Sequence, residues 1–133
     1  MKINPPKLIY IKSFKNHNGE LFTIEKNKNI NGFKRVFYIK ANSGALRGNH
    51  AHKKCIQYLI CLTGKIEVRC IMNKSKKKYL LNSSKKMLKI NPYTWVTQKY
   101  LKKNSILLCL CSDKYVEKDY IRKFQEYINY FSK

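Results

Sequence analysis

The stretch GALRGNHAHKKCIQYLICLTG, residues 44–64, decides the fold of this chain. His50 and His52 are two apart, and side chains two apart on a β-strand point to the same face. Two of the three histidines in the sequence are therefore aimed at one spot. Their backbones would lie roughly 7 Å apart. The charged pair Lys53-Lys54 suits a turn, IQYLICL is a short apolar run, Thr63-Gly64 ends it, and KIEVRCI alternates on the way back. That order reads as strand, turn, strand, tight turn, strand.

The rest of the chain repeats the pattern. KLIYIKSF (7–14) reads as a strand, Asn16-His17-Asn18-Gly19 as a turn, and GELFTIE (19–25) as its hairpin partner. KRVFYIK (34–40), KKYLL, KMLKI, WVTQKY (95–100) and SILLCLCS (105–112) follow as further short strands. The last is apolar on both faces and is expected at the centre of the core. The tail changes period: DYIRKFQEYINYF places Ile121, Phe124, Ile128 and Phe131 at helical spacing behind Asp119, a suitable N-cap. A short amphipathic helix is expected over about 119–131, covering the core or a dimer contact. One domain spans residues 1–133, with many short strands that suggest a sandwich or small barrel.

Composition bounds the function. With 44% apolar and 13% aromatic residues, a folded globule is expected and not a disordered basic tail. There is no secretory signal pattern and no apolar run near the ~18 residues of a membrane span. Five cysteines, Cys55, Cys61, Cys70, Cys109 and Cys111, sit inside strand-like runs without a CxxC pair. They read as buried small hydrophobes in a reducing compartment, and the cytoplasm is the expected location. The net charge of +22 invites a nucleic-acid partner, yet the lysines are spread along the chain and no nucleic-acid-binding motif is present. A lysine-rich solvated surface is the preferred reading. Such a field also speeds the arrival of an anionic small substrate.

The spacing of Gly44, His50-x-His52, Gln57 and Gly64 resembles the first motif of the cupin superfamily, whose usual form is an all-β jelly roll. A cupin normally has Glu where this chain has Gln57, and that Glu joins both histidines and a third histidine in a metal site. The second motif falls in KINPYTWVTQ, which keeps Pro92 but has no histidine. Two imidazoles and an amide are a poor ligand set for a divalent ion. The expected pocket works without metal or other cofactor, leaving His50 and His52 free to move protons.

Three ordered stretches, KRVFYI, RGNHAHKK with its downstream Gln57 and Gly64, and CSDKYVEKDYIRKF, resemble the WxcM-like cupins that act as dTDP-sugar 3,4-ketoisomerases, over about Gly19 to the end. The resemblance implies conversion of dTDP-4-keto-6-deoxyglucose to the 3-keto sugar, without metal, by a homodimer that exchanges N-terminal strands. It implies a product passed to a PLP-dependent aminotransferase making 3-amino-3,6-dideoxy sugars for surface glycans such as lipopolysaccharide. Histidine suits both proton transfers near neutral pH. His52 is the expected base and His50 the expected second carrier, and Tyr38 matches a family active-site tyrosine. Arg47 and Arg35 are candidates for the diphosphate, Gln57 for the sugar or a histidine, and Trp95 for stacking on the base, with core filling as its alternative. On a regular strand Arg47 faces away from the histidines, unless Gly48 permits a bulge. Asp113, Tyr115 and the DYIR segment read as structural. Two positions depart from the family: Asn18-Gly19 replaces a frequent Arg-Gly, and Val96 follows Trp95 where some members have histidine. Other readings carried forward are a non-catalytic sugar-nucleotide- or anion-binding cupin and a metal-dependent cupin epimerase or dioxygenase.

Overall fold

A computed structural model describes residues 1–132. Strands β1 (Lys7–Tyr10), β2 (Lys12–Asn16), β3 (Gly19–Thr23), β4 (Arg35–Ala41), β5 (Leu46–His52) and β6 (Gln57–Thr63) form the first half. Strands β7 (Ile66–Met72), β8 (Ser75–Leu81), β9 (Lys86–Ile90), β10 (Trp95–Tyr100), β11 (Ser105–Cys111) and β12 (Tyr120–Ile121) follow, with a 3-10 turn at Glu117–Asp119 and helix α1 at Phe124–Asn129. Two five-stranded sheets, ordered β1-β9-β6-β11-β4 and β12-β5-β10-β7-β8, face each other, and β2 with β3 makes a separate two-stranded sheet. Every strand pairing is antiparallel. This is the expected all-β cupin sandwich.

Three apolar layers explain the strand sequences. Leu59, Cys61, Val68, Cys70, Val96, Leu107 and Cys109 fill the space between the sheets. Tyr58, Ile60 and Leu110, on the opposite face of the first sheet, pack under Ile9, Ile11, Phe22 and Ile30 of the N-terminal segment. β6 and β11 are thus buried on both sides, which is why IQYLICL and SILLCLC show no clean alternation. The outer face of the second sheet holds Ala51 and Trp95, covered by Ile121 and Tyr127. β8 is an edge strand and carries Lys76, Lys77 and Lys78, a charge pattern that discourages pairing with another sheet.

Two boundaries differ from the sequence reading. Residues 7–14 form two strands and not one, because Ile11 turns inward at the break: its side chain is buried and its N–H donates to the Lys85 carbonyl at 2.8 Å. The helix expected over 119–131 is confined to Phe124–Asn129. Its first turn is instead strand β12, paired with the histidine strand through Tyr120 opposite His52 and Ile121 opposite Ala51. Asp119 caps no helix, because its carboxylate is occupied by the Lys54 N–H at 2.7 Å, the Cys55 N–H at 3.3 Å and the His52 ring. Full burial of Ile121 and Tyr127 anchors what remains of the segment.

Candidate active site

The site is built at a bulge in β5. Against β10, Gly48 lies opposite Thr97 and His50 opposite Val96, so Asn49 is an extra residue in the ladder. Gly48 adopts φ +89°, and a Cβ there would stand 2.9 Å from the Val96 carbonyl oxygen. Asn49, at φ 59°, is steadied by the Thr97 hydroxyl donating to its side-chain oxygen at 2.9 Å. One inserted residue reverses the alternation of the strand. Arg47 and His50, three apart, consequently line one cavity of about 280 Å³. The bulge that the sequence allowed at Gly48 is present.

From the facing sheet, alternation along β4 brings Arg35, Phe37 and Ile39 to the same cavity, and Gln57 enters from β6. Tyr38 is on the other face of β4 and 72% exposed, so the structure does not bring it to the histidines. Trp95 also stays outside the cavity: it packs edge-on to Phe124 at 5.2 Å between ring centroids, in the layer beneath α1. Core filling, the alternative for Trp95, is the role it has. Gln57 is buried, with its amide N–H directed at the Cys111 sulfur at 3.6 Å.

Residues that the sequence reading treated as structural complete the wall. Tyr115, Tyr120 and Arg122 line the cavity with Gln98. The Tyr120 hydroxyl accepts a hydrogen bond from Arg35 Nη1 at 3.2 Å, and its ring centroid is 5.1 Å from His50 and 4.2 Å from His52. Arg35 also lies over the rings of Phe37 and Tyr115, at 4.8 and 5.1 Å. Arg122 covers Tyr120 at 4.1 Å and is held by a hydrogen bond from its Nε to Glu117 at 2.7 Å. The helical spacing of apolar residues after Asp119 masked this group. The alternation of Tyr120, Ile121 and Arg122 was the signal that could have found it.

The two imidazoles meet edge to face with centroids 5.2 Å apart. His50 Nδ1 lies 3.1 Å from the Gly48 carbonyl, which only accepts, so the neutral ring carries its proton on Nδ1 and keeps a lone pair on Nε2. Burial, reinforced by any charge on His52, pushes the pKa of His50 down to about 4. His52 Nδ1 donates to Asp119 Oδ2 at 2.8 Å. Burial lowers its pKa as well, opposed by the hydrogen bond and negative charge of Asp119. Burial raises the pKa of Tyr120 against the opposing pull of Arg35, so its hydroxyl remains a donor at neutral pH.

His52, Cys55 and Asp119 bring three potential ligand atoms within 4.8 Å of one another. The set fits a metal poorly. Contact with Cys111 and burial both raise the Cys55 pKa, which keeps the thiol protonated, and the Asp119 carboxylate already accepts three N–H groups. Three larger concavities lie elsewhere. One of about 450 Å³ sits under the N-terminal hairpin, one of about 630 Å³ is framed largely by lysines, and one of about 320 Å³ lies between Met1, Ile3 and Pro5 and the turn from β7 to β8. None gathers a pair of imidazoles.

Residues 4–132 match the family FdtA, described as WxcM-like, C-terminal. The chain is 36% identical over 129 residues to a TDP-4-oxo-6-deoxy-alpha-D-glucose-3,4-oxoisomerase of Aneurinibacillus thermoaerophilus, covering 96% of this chain and 93% of the relative. It superimposes with a TM-score of 0.89 and 35% identity on QdtA, a sugar 3,4-ketoisomerase of Thermoanaerobacterium thermosaccharolyticum solved with TDP, covering 94% of this chain and 93% of that one. A 3,4-ketoisomerase of Helicobacter canadensis gives a TM-score of 0.91 at 29% identity, over 96% of this chain and 98% of the other.

Proposed function

The chain belongs to the FdtA family of WxcM-like proteins and is a sugar-nucleotide 3,4-ketoisomerase, and on that premise we propose that it acts on dTDP-4-keto-6-deoxyglucose with His50 as the base. The reaction moves a ketone from carbon 4 to carbon 3 through an enediol. The carbonyl acidifies the proton at carbon 3, a neutral imidazole removes it, and the cation returns a proton to carbon 4. A positioned base of this kind contributes on the order of 10²–10⁴-fold.

The carrying observation is the Nδ1–H of His50 on the Gly48 carbonyl in a cavity wall, which leaves Nε2 as the acceptor. Its pKa of about 4 keeps the ring unprotonated at pH 7. His52, the base expected from sequence, is the more enclosed of the two and is committed to Asp119, which favours His50. The Arg35 guanidinium and the Tyr120 hydroxyl supply preorganised donors for the negative charge of the enediolate. Arg47 and Arg122 give the cavity the guanidinium groups that suit a diphosphate. Gln57 is near enough to the cavity to contact the sugar.

The finer expectations carry over as part of this reading. A homodimer with exchanged N-terminal strands accounts for the separate β2–β3 sheet and for the exposed Phe14 and Leu21 on it. A second copy would also cover exposed Val36 and Tyr38 of edge strand β4. No helix among the described residues is long and apolar enough to cross a membrane, and the buried free thiols suit the reducing cytoplasm. The 3-keto product is a substrate for a PLP-dependent aminotransferase in surface-glycan synthesis.

The test is incubation with dTDP-4-keto-6-deoxyglucose in deuterium oxide, followed by NMR. Deuterium at carbon 4 with a new 3-keto signal is expected, and the stereochemistry at carbon 4 is read in the same spectrum. His50→Asn should abolish both while TDP still binds. Ligand binding without exchange in the unmodified protein would leave a non-catalytic module.

A further inference from the structure

We propose that Asp119 is a positioning residue whose carboxylate fixes the His52 imidazole and stabilises it when it accepts a proton, making this pair the second proton carrier of the isomerisation. The inference rests on the ketoisomerase reading and concerns a residue, 67 positions from its partner, that the sequence assigned to a helix cap.

The proton ledger requires a second carrier. Removing the carbon 3 proton to His50 breaks C3–H, forms C3=C4 and moves the carbonyl pair onto oxygen 4. Completing the reaction breaks O3–H, closes C3=O and places the His50 proton on carbon 4. Oxygen 3 loses one proton and oxygen 4 gains one. A base that holds the carbon 3 proton cannot carry the oxygen proton at the same time. His52 accepts it from oxygen 3 and returns it to oxygen 4, so both imidazoles end as they began.

The geometry fits that task. His52 is 6% exposed, its Nδ1 donates to Asp119, and its Nε2 is buried without a hydrogen-bond partner among the described residues. Unpartnered buried nitrogens are rare and call for a reason. An imidazole with Nδ1–H on a carboxylate and a free Nε2 is the arrangement in which a general base is oriented and its cation stabilised as it forms. The carboxylate is itself preorganised by the Lys54 and Cys55 amides, and the Asp119 carbonyl accepts from the Lys53 N–H at 2.9 Å. Around His52 stand His50 from its own strand, Tyr120 from β12, Cys55 beyond the turn, and the Arg35 and Arg122 charges. Both guanidinium charges oppose proton uptake by His52, and the Asp119 carboxylate supports it. The rings of His50 and Tyr120 both line the cavity and pack against His52, with centroids 5.2 and 4.2 Å away, so the His52 imidazole stands one ring behind the cavity wall and Nε2 meets the sugar oxygens only when these rings part.

Asp119→Asn in the full-length protein tests the pair, with dTDP-4-keto-6-deoxyglucose in deuterium oxide. Exchange at carbon 3, which depends on His50, should stay within about threefold of the unmodified protein. Turnover to the 3-keto product should fall about 100-fold, with TDP affinity unchanged. A merely structural role would not separate exchange from turnover. Turnover at the unmodified rate, or a parallel fall in exchange, turnover and TDP affinity, overturns the proposal. If Asp119→Asn does not fold, His52→Gln must show the same separation, and full turnover in that variant overturns it. Unmodified protein that neither exchanges nor isomerises overturns the ketoisomerase reading and the pair together, whereas normal activity in both proteins overturns the pair alone.

Discussion

Gly48→Ala should cost more than the same change at Gly44, although the two glycines have nearly the same positive φ. Their φ angles are +89° and +87°, but a Cβ at Gly48 meets the Val96 carbonyl oxygen at 2.9 Å and a Cβ at Gly44 meets nothing within 4 Å. A positive φ costs an alanine roughly 1–2 kcal/mol at either site. The stiffer unfolded chain returns about 0.4–1 kcal/mol at both. Gly44→Ala should therefore destabilise by about 1 kcal/mol. At Gly48 the two strands must also move apart, adding about 1–3 kcal/mol, the usual range for overpacking. For a domain of this size that difference corresponds to roughly 3–12 °C in Tm. Function should separate the two further, since displacing the bulge re-aims Arg47 and His50 while Gly44 lies outside the cavity lining. Thermal unfolding of both variants, with kcat/KM on the ketosugar, is the assay. Equal Tm losses would refute the close-approach argument. A large Tm loss with unchanged kcat/KM would refute the claim that the bulge aims the site.

Other consequences are direct. His50 acts unprotonated and has a pKa of about 4, so kcat/KM should be flat from pH 6 to 8 and fall on the acid side near its pKa, as measured by a pH–rate profile. Between that value and the usual 6.5 the unfolded chain binds a proton that the folded state refuses. Stability should therefore decline as pH falls through that window, by at most about 2–3 kcal/mol from this group, and urea titrations at pH 7 and 4.5 should show a smaller decline for His50→Asn. Tyr120→Phe removes the hydroxyl that pairs with Arg35 and should lower kcat by about 10²-fold, as loss of an oxyanion donor does. Tyr38→Phe should leave kcat within about threefold, the level of a side chain that contacts no reacting atom; similar losses in both would contradict the facing of β4. Trp95→Ala should cost about 3–5 kcal/mol by emptying the layer beneath α1, while TDP affinity, measured by calorimetry well below the Tm, stays unchanged.

Part of the difference between sequence and structure was legible in the sequence itself. Arg35 and Tyr38 were both expected at the site, yet they are three apart on a strand without a bulge and so face opposite ways. Only Arg35 reaches the cavity. At β5 the same parity rule misleads, because Arg47 joins His50 through an inserted residue whose presence depends on how β10 pairs with it. The tail fails for a different reason. Its helical spacing is present in the letters, but strand pairing with β5 and the amides of Lys54 and Cys55 claim Asp119 and Tyr120 first.

What the chain's letters determined is local: strand after strand from alternation, two strands buried on both faces from unbroken apolar runs, and two imidazoles on one side of β5 from their spacing. Side-chain direction along an extended backbone repeats every two residues, so it is written into neighbouring positions. The tertiary structure alone decided which imidazole faces the cavity, which carboxylate backs the other, and that Tyr120 and Arg122 stand there while Trp95 and Tyr38 do not. Those outcomes depend on contacts such as His52 with Asp119, separated by 67 residues, and no local periodicity encodes which distant segment will cover a face.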